Sequence, residues 1–252
     1  MLVSSNLQAQ TEPDEFIYLP LIVAPSDGSD AESGFPAGTK IMPLGDSRVQ
    51  GNPPAHESYR YELWKNLIDN GWTFDFVGTR TDGASYDDYT GQMFDIDHEG
   101  TSGATTTDIL NTLDSYQTDQ SSPEFDVVLL GIGGNDLLQM QDPADVIVRI
   151  NQIIDDLQAI NPDVVIFVEQ IAPGLSLLIS SDLMMQFAAF NGEIATLAVE
   201  QTNSTSTVIA IDMNDGWSDA FLADPVHYNA AGAKFIADKY DAALEAFYST
   251  DQ

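Results

Sequence analysis

The feature that most constrains the fold is a regular alternation that begins near residue 38. Short runs rich in β-branched or aromatic residues alternate with longer segments whose apolar residues recur at helical spacing. The predicted strands are Lys40–Leu44, Thr73–Val77, Asp126–Gly131, Val164–Gln170 and Thr207–Asp212. This alternation is typical of a parallel sheet with helices packed on it. The sequence therefore predicts an α/β fold, a three-layer αβα sandwich with a doubly wound, mostly parallel, five-stranded sheet.

The helical segments carry their own start and packing signals. Ser58–Asn70 places its apolar residues on one face, and the Asp142-Pro143 pair is a typical start for the next long helix. Residues 183–197 repeat apolar side chains at steps of four and three. Asn229 is predicted to cap a last helix. With no internal repeat, these segments predict a single domain over residues 38–252.

Residues 1–37 have a different composition. They are mostly polar, and their longest apolar run, Phe16–Ala24, contains Pro20 and is too short to span a bilayer. No Lys or Arg precedes that run, so it is not a complete signal peptide. We interpret residues 1–37 as a tail or linker, the remnant of a secretion leader or a tether, and therefore expect an extracellular or secreted protein.

Charge limits the partners of this chain. Eight basic residues stand against 40 acidic residues, for a formal charge of −32. Phosphate backbones and anionic membranes require Lys and Arg, so no nucleic acid and no membrane is expected as a partner. The same charge disfavours polyanionic substrates. The absence of cysteine excludes disulfides and thiolate metal sites.

The first predicted strand ends in a possible reactive site. It stops at Gly45-Asp46-Ser47, a tight turn that places a serine hydroxyl at the carboxyl end of the strand. Ligands bind at this edge in open α/β sheets. Serine is also an ordinary turn residue, so Ser47 alone is only a candidate nucleophile.

A segment near the end of the chain offers the groups that would activate a serine. A serine nucleophile needs an imidazole base, and the imidazole needs a carboxylate on its other nitrogen. Asp224-Pro225-Val226-His227 supplies both after the last predicted strand. The alternative is a surface loop with an incidental histidine.

Two further segments contain candidate donors to an oxyanion. Residues 131–136, GIGGND, follow the third predicted strand, and the Asn135 amide is a typical oxyanion donor. Residues 131–136 have two other interpretations, a strand-ending turn or a dinucleotide-binding fingerprint. The fingerprint would need glycine where Asp136 stands. Gly103 would offer a backbone N–H. His98 has no partner at metal-ligand spacing, so we interpret it as structural and predict no metal site.

These segments occur in a familiar order. The chain resembles the SGNH (GDSL) hydrolases in the order of four motifs: GDS near the start, HEGTSG, GGND, and DPVH near the end. Within that group, the chain is most similar to the acetyl-xylan-type carbohydrate esterases of family three. This similarity rests on the segments IMPLGDS, SYRYELW, FDFVG and HEGTSG. The resemblance covers about Lys40 to Tyr240 and implies the flavodoxin-like SGNH fold, with residues 38–252 as the catalytic domain.

The resemblance also implies roles for individual residues. Ser47 would be the nucleophile, His227 the base and Asp224 the group that orients the base. The oxyanion hole would consist of the Ser47 and Gly103 backbone N–H groups and the Asn135 side chain. No cofactor and no metal is implied.

One departure from the family pattern concerns the substrate. The residues after GDS are usually Ile-Thr or similar, whereas here they are Arg48-Val49. Arg48 either pairs with a carboxylate or influences the choice of acyl or leaving group. Candidate sugar-stacking residues, whose alternative role is ordinary packing, are Tyr86, Tyr89, Trp217 and Tyr228.

The sequence therefore predicts a serine esterase that removes short acyl groups, above all acetyl, from a neutral carbohydrate through an acyl-enzyme. One alternative is a lipid or thioester acyl hydrolase, which would need an extended apolar channel; the apolar segment 175–190 keeps this open. The other alternative is a non-catalytic carbohydrate-binding protein with the same fold.

Overall fold

The computed structural model describes residues 34–119, 121–178 and 180–249. Seven strands form one sheet: β1 (Thr39–Gly45), β2 (Phe74–Phe76), β3 (Arg80–Thr81), β4 (Asp97–Gly100), β5 (Val127–Gly131), β6 (Val165–Gln170) and β7 (Thr207–Asp212). The helices are α1 (Ser47–Gln50), α2 (Arg60–Asp69), α3 (Thr106–Thr118), α4 (Gly134–Leu138), α5 (Pro143–Ile160), α6 (Ser181–Gln201) and α7 (Ala230–Tyr248).

Strand β1 lies at the centre of the topology. Strands β5, β6 and β7 follow it in parallel on one side. On its other side β2 pairs with the first half of β1 and β4 with its end, both in parallel, and β3 pairs antiparallel with β4. The predicted α/β class with a mostly parallel sheet is therefore confirmed. The sheet has two strands more than the five predicted, because β3 and β4 are short and largely charged and lack an apolar run.

Alternate residues of the strands enter two separate cores. Met42 and Leu44 of β1 pack with helices α3, α5 and α6, whereas Ile41 packs with helices α2 and α7. Both cores contain strand residues that are fully buried. Because helices cover both faces, the reactive side chains are left to the loops at the carboxyl edge of the sheet.

The predicted tail lies mostly outside the described residues, which begin at Gly34. Phe35, assigned to the tail from the sequence, packs edge-on against Trp72, Phe74 and Tyr248, with ring centroids 4.3, 6.2 and 4.8 Å away. Its contacts place it in the domain. Among the helices of the described residues, none is long and apolar enough to cross a membrane.

Candidate active site

The turn after β1 presents Ser47 at the first position of α1. Asp46 caps this short helix, since its Oδ1 accepts the Arg48 backbone N–H at 2.9 Å. The turn also needs glycine at position 45, because a Cβ there would lie 2.1 Å from the Gly131 carbonyl oxygen on β5. The close approach of two strand ends thus fixes where the serine hydroxyl emerges.

A continuous chain of hydrogen bonds links Ser47 to the loop before α7. Ser47 Oγ lies 2.9 Å from His227 Nε2, and His227 Nδ1 lies 2.7 Å from Asp224 Oδ2. A carboxylate can only accept, so Nδ1 carries the proton and Nε2 is free to accept the serine proton. This is the tautomer that a serine nucleophile requires.

Asp224 is stabilised as an anion in this position. Partial burial alone would raise its pKa, but donors outweigh that effect: the Val226 and His227 backbone N–H groups reach Oδ1 at 2.9 and 2.8 Å, and the His227 ring reaches Oδ2. Together they lower the pKa of Asp224 to about 2. The carboxylate therefore remains charged throughout the neutral range.

A second imidazole stacks on His227. The rings of His56 and His227 are 4.0 Å apart between centroids and 16° from parallel. Burial, with the neighbouring His227 as a second cause, lowers the pKa of His56, which favours its neutral form. Its loop is fixed by bridges between Asn52 and His56 and between Glu57 and Tyr228. His227 is thus held between its carboxylate, the serine and a flat ring.

Arg48 pairs with backbone rather than with a carboxylate. Its guanidinium donates to the carbonyl oxygens of Val226 at 2.8 Å and Ala172 at 2.6 Å, and lies 4.9 Å above the Tyr228 ring. All eight Lys and Arg residues lie in the described ranges, and Arg48 alone among them forms no ion pair there. It ties the loop carrying His227, and the loop after β6, to the serine turn.

The candidate oxyanion donors lie on segments tied to the same turn. Gly103 has φ +77°, and its loop is joined to the serine turn by Thr101 N–H to Gly45 O at 2.9 Å and by a bond from Ser102 to Gln50. The Asn135 amide donates to Ala104 O at 2.9 Å. Asn135 and Ser47 border one cavity.

A buried carboxylate fixes the two segments with the oxyanion donors to each other. Asp136 is fully buried and accepts the Thr106 N–H at 3.0 Å and the Thr106 hydroxyl at 2.6 Å. It also forms an ion pair with Arg149 at 3.2 Å. Because Asp136 follows Asn135 directly and Thr106 begins α3, this network sets the distance between the Asn135 amide and the Gly103 loop.

The cavity beside Ser47 is small. Its volume is about 40 Å³. Its apolar wall includes Ile132, Leu138, Ile171 and Phe187. Glu169 on β6 also borders it, only 4% exposed.

Comparison with known proteins identifies the family. Residues 44–235 match the model of the GDSL-like lipase/acylhydrolase family. The chain belongs to this family. We accordingly classify this GDSL-like acylhydrolase as a carboxylic ester hydrolase. A comparison with curated protein sequences found no match.

Solved structures agree with this assignment. A family 3 carbohydrate esterase from Talaromyces cellulolyticus is 27% identical, with a TM-score of 0.70 over 83% of this chain and 98% of that one. A serine-to-alanine mutant of an acetyl esterase, with an acetate ion, is 26% identical, with a TM-score of 0.69 over 83% and 98%. A family 3 carbohydrate esterase from Clostridium thermocellum is 27% identical, with a TM-score of 0.66 over 84% and 100%.

The predicted sugar-stacking residues of this acylhydrolase lie in different surroundings. Tyr228 is fully buried beneath Arg48, so the prediction is wrong for this ring, which has no surface to offer a sugar. Trp217 packs on Phe221 and Phe235. Neither Trp217 nor Tyr89 lines the cavity beside Ser47.

Tyr86 borders a second cleft. This cleft has a volume of about 290 Å³ and is lined in part by Glu57, Tyr61 and Tyr86. Glu57 follows His56, the residue stacked on His227. Tyr86 therefore lines a cleft that also contains the residue after His56.

Sequence reasoning missed His56, Asp136 and Glu169 as members of the site. The position of Asp136 beside Asn135, after a buried strand, could have indicated a role in the site. In the sequence analysis, Asp136 is used only to weigh the dinucleotide fingerprint, which would need glycine there. His98, interpreted as structural, accepts the Gly100 N–H at 2.9 Å, and burial lowers its pKa to about 3. Within the described ranges no cluster of His, Asp and Glu could hold a metal ion.

Proposed function

We propose that this chain is a serine esterase that removes short acyl groups, chiefly acetyl, from a neutral carbohydrate. The observation that carries the proposal is the hydrogen-bonded chain from Ser47 Oγ through His227 to Asp224, with distances of 2.9 and 2.7 Å. It begins in a cavity that Asn135 also borders.

The reaction proceeds in two half-reactions. Ser47 Oγ attacks the ester carbonyl while its proton passes to His227 Nε2, and the negative charge develops on the carbonyl oxygen. The Asn135 amide and the Ser47 and Gly103 N–H groups receive this charge. The ester C–O bond then breaks, and the alcohol leaves with the proton from His227.

Hydrolysis of the acyl-enzyme repeats these steps with water. His227 Nε2 takes a proton from the water as the water oxygen attacks the acyl carbon. The Ser47–acyl bond breaks, the proton returns to Ser47 Oγ, and the free acid leaves. Asp224 stays anionic throughout and stabilises the imidazolium that forms in each step.

The size of the cavity supports a short acyl group. One water needs roughly 10–15 Å³ of such volume. A cavity of about 40 Å³ thus holds about three water-sized groups, the size of an acetyl group. The names of two similar structures, an acetyl esterase and a family 3 carbohydrate esterase, point in the same direction.

The second cleft supports a carbohydrate as the alcohol component. Its lining combines the aromatic rings of Tyr61 and Tyr86 with the carboxylates of Glu57 and Glu62. Aromatic faces and hydrogen-bond acceptors suit the CH and OH groups of a neutral sugar. The formal charge of −32 disfavours an anionic one.

The longer-acyl alternative has one observation in its favour. Leu138, on the cavity wall, is 43% exposed, and Leu177 and Leu178, three and four positions after the wall residue Gly174, are 88% and 67% exposed. These side chains offer apolar surface outside the cavity, where an extended chain would have to lie.

The test is hydrolysis of p-nitrophenyl acetate, butyrate and octanoate by the wild type and by Ser47→Ala, followed by acetylated neutral sugars. We expect activity concentrated on acetate and lost in the variant, which should retain its unfolding temperature because a turn hydroxyl contributes little packing. A preference for octanoate would favour the lipid or thioester alternative. Full activity in Ser47→Ala would exclude Ser47 as nucleophile.

A further inference from the structure

Glu169 is a buried carboxyl group that the proposed reaction does not use. It stands near the carboxyl end of β6 and is 4% exposed. Its Oε1 accepts the Tyr240 hydroxyl at 2.7 Å. None of the ion pairs found among the described residues includes Glu169. Burying a carboxyl group in this way costs desolvation free energy, and we therefore looked for a function that would explain it.

The side chain of Glu169 lies across the end of the neighbouring strand. Gly45 pairs with Gly131, and Glu169 is the next residue of the same row on β6. A Cβ added to Gly131 would lie 2.9 Å from the carboxyl carbon of Glu169. The glycine therefore provides the space that the carboxyl group occupies, beside the strand that leads to Ser47.

The cavity connects this carboxyl group to the nucleophile. Glu169, Ser47 and Asn135 border the same volume of about 40 Å³. Leu138, in the same lining, is 43% exposed, whereas Glu169 is 4% exposed. A group on Ser47 Oγ that enters this cavity therefore shares a small space with Glu169.

We propose that the carboxyl group of Glu169 forms the closed end of the acyl pocket and sets its length limit. The inference rests on the proposed function, because the cavity must receive the acyl group on Ser47. A chain of four or more carbons would have to press methylene groups against a buried carboxyl group, which is unfavourable for both volume and polarity. An acetyl group ends before it.

The test measures the ratio of kcat/KM for p-nitrophenyl butyrate to that for acetate. Glu169→Ala should raise this ratio at least about tenfold, because it opens the inner end of the cavity. Adding Gly131→Ala in the same chain should return the ratio toward the wild-type value, since the new methyl group enters the space that the carboxyl group left. Glu169→Gln keeps the shape and should retain the preference for acetate.

Glu99→Ala is the matched control. Glu99 is also buried, at 3% exposure, and also accepts a tyrosine hydroxyl, from Tyr116 at 2.7 Å, but it does not line the cavity. It should lower stability without changing the ratio. If Glu169→Ala does not fold, Glu169→Asp, which shortens the side chain by one methylene, should raise the propionate-to-acetate ratio.

The outcomes separate the two proposals. A folded Glu169→Ala, or the Asp variant in its place, with the wild-type ratio overturns the assignment of Glu169. A wild type that is inactive on acetate but active on octanoate overturns the short-acyl function itself. A ratio that rises equally in the Glu99 control assigns the effect to general loosening and also overturns the inference.

Discussion

Two carboxyl groups of the candidate site, Asp224 and Glu169, have pKa values shifted in opposite directions. Asp224, whose side chain is 42% exposed, accepts two backbone N–H groups and the His227 ring, and its pKa falls to about 2. Burial raises the pKa of Glu169 to about 7, although the Tyr240 hydroxyl and the charge of Arg48 act against it. Asp224 stays charged because its donors outweigh the effect of partial burial, whereas full burial with one hydroxyl donor disfavours the charged form of Glu169.

The difference has a functional meaning. Asp224 must be an anion to hold the imidazole and to stabilise the imidazolium. Glu169 accepts a single hydrogen bond and takes part in no proton transfer of the proposed reaction. The comparison therefore predicts a loss of rate from one substitution and a change in stability with pH from the other.

Asp224→Asn should give the largest effect. The amide keeps the shape but can donate to His227, which favours the tautomer that cannot accept the Ser47 proton. We expect kcat to fall about 10⁴-fold with little change in unfolding temperature, because the side chain is partly exposed. Kinetics on p-nitrophenyl acetate and a thermal melt measure both quantities. A loss below tenfold would show that His227 does not depend on this carboxylate.

Glu169→Gln should change how stability depends on pH. The folded pKa of about 7 lies above the ordinary value of 4.5, so between these values the folded state holds a proton that the unfolded state has released. The wild-type free energy of unfolding should therefore fall relative to that of the variant as pH rises from about 4.5 to 7, by up to about 3 kcal/mol.

Urea unfolding of both proteins at several pH values tests this expectation. The variant is the reference for the wild type, because all the other carboxylates of this acidic chain are common to both proteins. The difference should be constant above pH 7 and below pH 4.5. If the free energies of unfolding of the two proteins run parallel over the whole pH range, folding does not raise the pKa of Glu169.

The comparison also explains what the sequence could predict. Ser47 and Asn135 follow buried strands, and His227 follows the last strand. The carboxyl ends of parallel strands converge at one edge, so the proximity of these residues follows from the pattern. Asp224 could be predicted because the local spacing to His227 brings it to the ring.

The remaining groups depend on packing that no local pattern encodes. His56 reaches His227, 171 positions later in the sequence, because the bridge between Glu57 and Tyr228 joins their two segments. Glu169 lies in a predicted strand, but its direction depends on the space that Gly131 leaves on a neighbouring strand. The backbone bonding of Arg48 depends on two loops from distant parts of the chain.

His56 gives the smallest expected effect and tests how far His227 relies on Asp224 alone. A neutral ring stacked on the base restricts its orientation and offers a π face to the imidazolium, and such pairs contribute about 0.5–1.5 kcal/mol. His56→Leu should therefore lower kcat up to about tenfold with KM little changed, whereas His56→Phe should retain most of the activity because it keeps the flat face. If Phe is as slow as Leu, a ring nitrogen of His56 matters rather than stacking. If His56→Leu is as active as the wild type, the hydrogen bonds of Asp224 and Ser47 suffice to orient His227 without the stacked ring.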